Sequence, residues 1–241
     1  MPSGHHYRLN RQKLRQLLCT DISVHWGKSF KSFEIGEDGV VVHFTDGHRV
    51  EGSMLLGVDG KNSRIKRLLL GEEKSRLNPL PVAFMGFTLR FSPSKMQPFR
   101  DIHPVIWQGC HPGSGYFVFF SMLSTPESNG SASTENPYYE GQFNMSWLTG
   151  KHGPTPKTPT EQLAKAKEAA CASSGMFPPL RQAILEIPED THALEIVLED
   201  WPTQEWPLCD GRVTLLGDAA HTMTMCESTS LQLALLLQIA H

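Results

Sequence analysis

The sequence lacks an excess of charge of either sign. Its 241 residues include 22 lysines and arginines against 25 aspartates and glutamates, which gives a net charge of −3 with histidine neutral. Proteins that bind the phosphate backbone of nucleic acids usually carry a basic excess, so we expect no nucleic-acid partner. Apolar residues make up 39% and charged residues 20% of the chain. These fractions are typical of a globular protein, here with one large domain or two small ones.

Cysteine is scarce, and long apolar runs are absent. The five cysteines are widely spaced and form no C-x-x-C pair. We therefore expect neither a disulfide framework nor a metal site, and we expect a reducing, cytoplasmic location. The N-terminal residues contain no apolar run of the signal-peptide type. The longest apolar stretch, residues 231–240, is shorter than the roughly 20 residues that a membrane-spanning helix needs, so no membrane span is expected.

The front of the chain predicts a helix and then several short strands. Leu14, Leu17 and Leu18 repeat at helical spacing within a helix predicted over residues 8–18, and Asn10 is placed to cap its first turn. Strands follow, separated in part by glycine-containing turns, over residues 21–26, 29–35, 40–44 and 48–51. The apolar run at residues 54–58 has the composition of a strand buried on both faces of a sheet. A helix over residues 64–70 comes next.

The middle of the chain predicts a β-rich layer, and two helices follow it. Loops rich in Pro, Gly, Ser and Asn separate strands over residues 82–91, 104–108, 116–123 and 142–147. Thr158, Pro159 and Glu161 form a capping box with proline at the first helical position, so a helix begins there, and Gly175 ends it. The remaining elements are a helix over 179–187, a strand over 193–199 and an apolar strand over 212–216.

Two of the apolar strands end in a glycine–aspartate pair. The first pair lies in Gly57-Val58-Asp59-Gly60-x-x-Ser63, and the second lies in Gly217-Asp218-Ala219-Ala220-His221. Ligands of open α/β sheets collect outside the carboxyl ends of the strands. Either motif alone is typical of an ordinary turn, but both on buried strands favour a ligand site.

The residue types of the two motifs indicate what such a site would bind. Gly60 permits a tight turn and Asp59 offers two acceptor oxygens, while the helix that opens at Ser63 offers free N–H groups to an anion. Asp218 is placed to accept hydrogen bonds from sugar-like hydroxyl groups. Gly217 removes bulk, so that a large planar ligand has room beside the chain.

Other groups of residues are weaker indications of a functional site. His5 and His6 are more typical of an exposed terminus than of a metal site, and Ser114 lacks the outer glycines of a serine-hydrolase motif. His221 is better explained as a cap of the following helix than as a catalytic partner of Asp218. One group of aromatic residues either lines an aromatic-substrate pocket or forms the core of a sheet: Phe84, Phe87, Trp107, Phe117, Phe119, Phe120 and Trp147.

The order and spacing of the motifs resemble the FAD-dependent aromatic hydroxylases. A helix with Arg11, then Gly57-x-Asp59-Gly60-x-x-Ser63, then residues 211–221 (GRVTLLGDAAH) match the pattern of these single-component flavoprotein monooxygenases, which are related to para-hydroxybenzoate hydroxylase. Fungal members are the most similar. The resemblance implies an α/β fold: an FAD-binding domain of mixed sheet and helices (1–76 and 207–241), with a β-rich α+β substrate domain (77–206) inserted.

The resemblance also implies roles for individual residues. Arg11 would contact FAD from its helix, and Asp59 with Gly60 would serve both FAD and the pyridine nucleotide. Asp218 would hold the ribityl or ribose hydroxyls of FAD, and Gly217 would allow the cofactor to approach. The implied activity is hydroxylation of a small aromatic or polycyclic substrate with NAD(P)H and O2. No side chain is identified as catalytic, because the cofactor supplies the chemistry.

The sequence departs from the family pattern in three places. The G-x-G-x-x-G fingerprint and its N-terminal βαβ unit are absent, residues 226–230 contain no glycine where the family has a glycine-rich loop, and the family continues beyond the position of His241. Lys66 replaces a usual arginine. We therefore expect a chain truncated at both ends that binds FAD weakly or not at all. The alternatives are a non-catalytic remnant without FAD, and an unrelated soluble binding module whose two motifs are coincidental turns.

Overall fold

A computed structural model describes residues 7–111 and 113–223. These residues form two packed units, each with its own core. The sheet unit contains residues 7–21 and 81–197, and the motif unit contains residues 22–80 and 198–223. The predicted domain boundaries at 76/77 and 206/207, and the assignment of a flavin domain and a substrate domain, stay predictions.

Seven α-helices, twelve strands and one 3-10 turn are present in this part of the chain. The helices are α1 Arg11–Leu18, α2 Arg64–Lys74, α3 Pro93–Ile102, α4 Pro126–Asn129, α5 Thr149–His152, α6 Pro159–Ala172 and α7 Pro178–Leu185. The strands are β1 Phe30–Ile35, β2 Val40–Phe44, β3 Arg49–Gly52, β4 Leu55–Gly57, β5 Asn78–Pro79, β6 Val82–Phe91, β7 Ile106–His111, β8 Tyr116–Ser124, β9 Tyr139–Leu148, β10 Leu194–Glu195, β11 Glu199–Asp200 and β12 Val213–Leu215. The 3-10 turn is Gly217–Ala219.

The motif unit joins two segments of the chain that are distant in sequence. The strands β1, β2 and β3 form an antiparallel meander, β5 pairs with β11, and β4 pairs in parallel with β12. Its buried core comes from both segments and comprises Val40, Ile65, Val213, Leu215, Ala219 and Ala220. The second segment therefore completes both the sheet pairing and the core of this unit.

The prediction that residues 54–58 are buried on both faces is wrong. Leu56 is 47% exposed, and Met54 and Val58 are exposed as well. Within the described residues β4 pairs with β12 alone. Packed helices cover both faces of a wide parallel sheet, whereas the exposure of Leu56 shows that one face of this two-stranded sheet is uncovered. Gly57 is the buried member of β4, and a Cβ there would come within 2.7 Å of Leu215 Cδ2.

The sheet unit is a five-stranded antiparallel sheet with helices on one face. The strand order is β10-β6-β9-β8-β7. Alternate residues of the strands pack with α3, α6 and α7 in one core, which includes Met85, Phe87, Phe99, Phe120, Phe143, Met145 and Trp147. The rings of Phe99, Trp107 and Phe120 stack on one another with centroids 5.0–6.1 Å apart. This core fixes which face of the sheet remains for other contacts.

Several elements follow the sequence closely. Strand β6 has the predicted bounds, and α6 begins with the predicted capping box, in which Thr158 and Glu161 bond each other's backbone N–H groups. Asn10 caps α1, which begins at Arg11 rather than at residue 8. Helix α2 leaves helical geometry at Gly71, where φ is +77°, so its regular part coincides with the predicted 64–70.

Other elements differ from the prediction. Residues 21–26 form no strand, and the region predicted as one strand over 193–199 contains β10 and β11, which pair in different sheets. Helix α3 was not expected, because Pro98 lies inside it and proline disfavours a helix interior. Ser92 and Pro93 supply a start signal, and burial of Met96 and Phe99 adds the packing that offsets the internal proline.

Residues 7–111 and 113–223 include no helix long and apolar enough to cross a membrane. The same residues contain no group of three or more His, Cys, Asp or Glu side chains suited to hold a metal ion. Cys19, Cys110, Cys171 and Cys209 are all free thiols. Cys226, and the glycine-free segment 226–230, lie outside the described residues.

The capping box of α6 generates a stability prediction. We expect Thr158→Ala to lower the free energy of unfolding by about 1 kcal/mol, because the N-cap acceptor for the N–H of Glu161 is lost. Hydrogen bonds from Thr158 hold the pKa of Glu161 below its usual value. The contribution of that carboxylate is therefore present at neutral pH and lost as the pH falls through the lowered pKa.

Urea unfolding at pH 7 measures this effect. Thr160→Ala is the matched control, because Thr160 is an exposed helical residue two positions further on and makes no capping bond. An equal loss of stability in both variants would contradict the assignment of the cap.

Candidate active site

The parallel pairing of β4 and β12 brings the two glycine–aspartate motifs to one sheet edge. Leu55 to Gly57 lie opposite Val213 to Leu215, and the N–H of Leu216 donates to Gly57 O at 2.9 Å. Since parallel strands end at the same edge, the turn at Asp59 and the turn at Asp218 follow neighbouring strands. Sequence analysis placed each motif at a strand end, and the register makes them neighbours.

The side chain of Asp59 accepts a hydrogen bond from within its own chain. Its Oδ2 accepts a hydrogen bond of 2.8 Å from the N–H of Arg64, the first residue of α2. Ser63 Oγ accepts from the N–H of Lys66 at 2.9 Å. The expectation that this helix start offers free N–H groups to an anion is therefore wrong for these two donors. Asp59 shapes the turn, and only its second oxygen makes no hydrogen bond within the described residues.

The two glycines of the motifs are required by backbone conformation. Gly60 has φ +80° and Gly217 has φ +59°. Residues with a Cβ rarely adopt such angles, which glycine tolerates without strain. A Cβ at either position would meet no atom within 4 Å. The backbone at both turns therefore borders open space on the side where a ligand would approach.

Asp218 presents a carboxylate at this edge that the described residues leave without a partner. The residue is exposed, in the 3-10 turn that follows β12. Its backbone oxygen accepts from Thr222 Oγ1 at 2.7 Å, while Gly217 O accepts from the N–H groups of Ala220 and His221. These bonds fix the turn and leave both carboxylate oxygens to accept from a ligand. The helix that His221 was expected to cap lies outside the described residues.

Arg11 lies in the sheet unit rather than in the motif unit. It is the first residue of α1, a helix with no buried residue. Its predicted contact with FAD stays a prediction, as do the cofactor roles of Asp59, Gly60, Gly217 and Asp218.

Sequence reasoning missed the importance of Lys66. Only 1% of this residue is exposed, and its Nζ donates to Lys61 O at 3.1 Å and lies 4.3 Å from the centre of the Trp201 ring. Burial lowers the pKa of Lys66, and the charge of Asp59 opposes this effect. Trp201 is also buried, and its Nε1 donates to Lys74 O. Lysine is seldom buried, so no sequence signal marks this position.

A cavity of 840 Å³ lies in the motif unit next to α2. Lys61, Lys66, Arg67 and Arg76 line it, together with Glu72, Glu73 and Glu199. One of these carboxylates is already neutralised, because Lys61 Nζ is 2.7 Å from Glu199 Oε2. The remaining lining carries more positive than negative charge, which suits a phosphate-bearing ligand better than a cationic one.

The aromatic candidates divide between the two faces of the five-stranded sheet. Phe87, Phe120 and Trp147 belong to the helix-side core, and Trp107 packs against it. Phe84, Phe117 and Phe119 alternate with the core residues, so their side chains lie on the opposite face. The sheet-core interpretation therefore holds for the first four residues, and the other three remain candidates for contact with a ring-containing ligand.

Comparisons with known proteins relate the chain to one class of flavoprotein. No protein-family model matches the chain. Over 228 residues it is 42% identical to the FAD-dependent monooxygenase dbaB of Emericella nidulans, a match that covers 93% of this chain and 57% of that protein. The chain spans about half the length of the curated relatives it matches.

Two solved structures share the fold. A candidate FAD-containing monooxygenase of Photorhabdus luminescens superposes with a TM-score of 0.70 at 22% identity, covering 94% of this chain and 60% of that one. HpxO of Klebsiella pneumoniae, solved with FAD and uric acid, gives 0.61 at 20% identity, covering 92% and 51%. These likenesses confirm the mixed α/β fold, while the insertion of one domain into the other stays a prediction.

The different partners of the two aspartates generate a prediction. We expect Asp59→Ala to lower the free energy of unfolding by about 1 kcal/mol, since the acceptor of the hydrogen bond from the Arg64 N–H is lost. Asp218→Ala should change it by less than about 0.5 kcal/mol, because its side chain contacts no partner in the described part of the chain. Urea unfolding of both variants measures the difference, and a larger loss for Asp218→Ala would contradict the structural assignment.

Proposed function

Because the chain belongs to the family of FAD-dependent monooxygenases, we propose that it forms part of an enzyme that hydroxylates a small aromatic or polycyclic substrate with NAD(P)H and O2. The chain corresponds to about half of its curated relatives, so the activity of the whole protein is part of this proposal. The observation that supports it best is the register of β4 and β12, which makes the Asp59 and Asp218 turns neighbours at one sheet edge.

The residues at this edge fit a hydroxyl-bearing cofactor. Asp218 offers two carboxylate oxygens that no described residue contacts. An ionised carboxylate only accepts hydrogen bonds, so it suits the ribityl or ribose hydroxyls of FAD. Gly217 and Gly60 leave open space beside the backbone. In this proposal Arg11 contributes a further contact to FAD. When bound, FAD supplies the redox chemistry, which includes hydride acceptance and the activation of O2.

In this proposal the chain's own residues hold the cofactor and orient it. The hydrogen bond from Arg64 to Asp59 keeps the first turn in shape, and the bonds from Ala220 and His221 to Gly217 O do the same for the second. Because hydrogen bonds within the chain fix both turns, their backbone conformation does not have to form when a ligand binds. Preorganisation of this kind lowers the entropic cost of holding a cofactor.

The cavity beside α2 supports a place for the pyridine nucleotide. NAD(P)H carries a pyrophosphate, and NADPH carries a further phosphate. Among residues 7–111 and 113–223, no carboxylate pairs directly with the lining cations Lys66, Arg67 and Arg76. The turn at Asp59 and Gly60 directly precedes the residues that line this cavity, in keeping with the double role that the family resemblance implies for this pair.

The competing hypothesis is a non-catalytic remnant that holds no flavin. None of the comparisons supports it, because the named relatives are monooxygenases. It predicts a folded chain that FAD does not bind, whereas the flavoenzyme proposal predicts saturable binding. The two hypotheses are therefore separated by one titration.

That titration is the test. The flavoenzyme proposal predicts that the 241-residue chain binds FAD saturably, measured by flavin fluorescence and the visible spectrum, and that Asp218→Ala weakens binding about 10-fold or more; the missing G-x-G-x-x-G segment predicts instead weak binding or none. A hydrogen bond to a charged group contributes about 1.5–3 kcal/mol, which sets this magnitude.

Asp38→Ala is the matched control, because Asp38 is an exposed aspartate of the β1–β2 turn in the same unit. Absence of binding by the folded chain would favour the remnant. Equal affinities of wild type and Asp218→Ala would refute the assigned role of Asp218.

A further inference from the structure

The turn that carries Asp218 is too short to hold its shape alone. It is a 3-10 turn of three residues, Gly217–Ala219. A single helical turn fixes several backbone angles for few hydrogen bonds, so it is unfavourable without further support. Asp218 is exposed, and no described residue hydrogen-bonds its carboxylate. The position of that carboxylate therefore depends on what holds the backbone of the turn.

Thr222 holds the turn from its C-terminal side. Its Oγ1 donates to Asp218 O at 2.7 Å. Only 4% of Thr222 is exposed, so water has little access to replace the hydroxyl. Threonine often donates to the carbonyl four residues earlier within a helix, but Thr222 lies beyond the 3-10 turn, in a β-bridge with Trp201. The hydroxyl therefore connects the turn to a second segment of the chain.

Residues 201–203 form that second segment. The N–H of Trp201 donates to Thr222 O at 3.0 Å. Thr203 Oγ1 donates to Ala220 O at 3.1 Å. The chain directly after the turn is thus tied at two points to residues 201–203.

Trp201 is anchored in the body of the motif unit. It is 2% exposed, and its Nε1 donates to Lys74 O at 2.8 Å, at the end of α2. Lys66 Nζ lies 4.3 Å from the centre of the ring. A buried ring that has both a hydrogen bond and a cation–π contact is held firmly in one orientation. The contacts therefore run from α2 through Trp201 and Thr222 to the backbone of Asp218.

We propose that Thr222 is a positioning residue, which holds the backbone of Asp218 so that the carboxylate is in place to accept hydrogen bonds from a ligand hydroxyl. Trp201 is the fixed support from which Thr222 acts, and Thr203 adds a weaker restraint at Ala220. The inference rests on the proposed function, in that the ligand is the cofactor whose hydroxyls Asp218 accepts. Removing the hydroxyl of Thr222 should therefore loosen the turn, and it should weaken the ligand only through Asp218.

Hydrogen exchange tests the support of the turn without any cofactor. The amides of Ala220 and His221 both donate to Gly217 O and report whether the turn is closed. Thr222→Val keeps the shape of the side chain and removes the donor, so exchange of these two amides should become about 5-fold faster or more. Thr222→Ser keeps the hydroxyl and should leave both rates within about 2-fold of wild type.

The amide of Leu216, which donates to Gly57 O, separates local from global loosening. Its exchange in Thr222→Val should change much less than that of the two turn amides. Thr45→Val, at an exposed threonine of the turn between β2 and β3, should leave all three rates unchanged. Equal acceleration of all three amides in Thr222→Val, or equal effects of Thr222→Val and Thr222→Ser, would refute the positioning role.

Thr203→Val is a second variant at an exposed position, and it decides the matter if the buried change at Thr222 prevents folding. It removes the donor to Ala220 O. Faster exchange at Ala220 and His221 would support the restraint by residues 201–203, and unchanged exchange would refute it.

A double-mutant cycle tests the link to the ligand. Thr222→Val should weaken FAD binding about 3-fold or more in the wild-type chain and have no further effect in Asp218→Ala, because the hydroxyl acts through that carboxylate. Its effect on the melting temperature should be the same in both backgrounds. The same fold loss of affinity in both backgrounds would mean a purely structural role, and the inference would fail.

The failure of this inference is distinguishable from the failure of the proposed function. A chain that binds no FAD but shows the local exchange effect that depends on the hydroxyl would refute the flavoenzyme proposal and support the role of Thr222. A chain that binds FAD with equal affinity in wild type and Thr222→Val would support the flavoenzyme proposal and refute the role of Thr222.

Discussion

The backbone hydrogen bonds between β4 and β12 are the interaction on which the motif unit depends. They join Leu55–Gly57 to Val213–Leu215, and bonds from Leu55 N to Arg212 O and from Leu216 N to Gly57 O extend the pairing at both ends. Gly57 has no Cβ, so Leu215 can approach closely. Without this pairing the two aspartate turns would not be neighbours. The Lys66–Trp201 contact joins the same two segments, so the buried charge and the pairing stabilise one arrangement.

Local chemistry explains which parts of the fold the sequence predicts. The capping box at Thr158 and the apolar run of β6 are decided by residues within a few positions, and both elements were predicted closely. Strands β10 and β11 have two residues each and exist because partners elsewhere in the chain are available. Helix α3 contains an internal proline that packing of Met96 and Phe99 outweighs. Such elements depend on tertiary contacts that no short window contains.

The candidate site, like the fold, has some features that the sequence predicts and others that depend on tertiary contacts. The position of both motifs at strand ends follows from composition. The hydrogen bond from the Arg64 N–H to Asp59 does not, because a carboxylate that accepts from a helix N-terminus and one that binds a ligand have the same sequence signature. The burial of Lys66 left no sequence signal either. In the segment from Tyr116 to Phe120 every residue is apolar, so only the observed packing tells which rings belong to the core and which lie on the opposite face of the sheet.

The interruption of the motif unit by the sheet unit has a consequence for synthesis. All five strands β6–β10 lie within residues 81–197, so a ribosome delivers the complete sheet before β12 emerges. A folded insertion is a shorter effective loop than a flexible one of the same length, and closing a shorter loop costs less entropy. We therefore expect β12 to find β4 late, after the sheet has formed. Until then, the exposed apolar side chains of Met54, Leu56 and Val58 accompany an unpaired strand edge on the nascent chain.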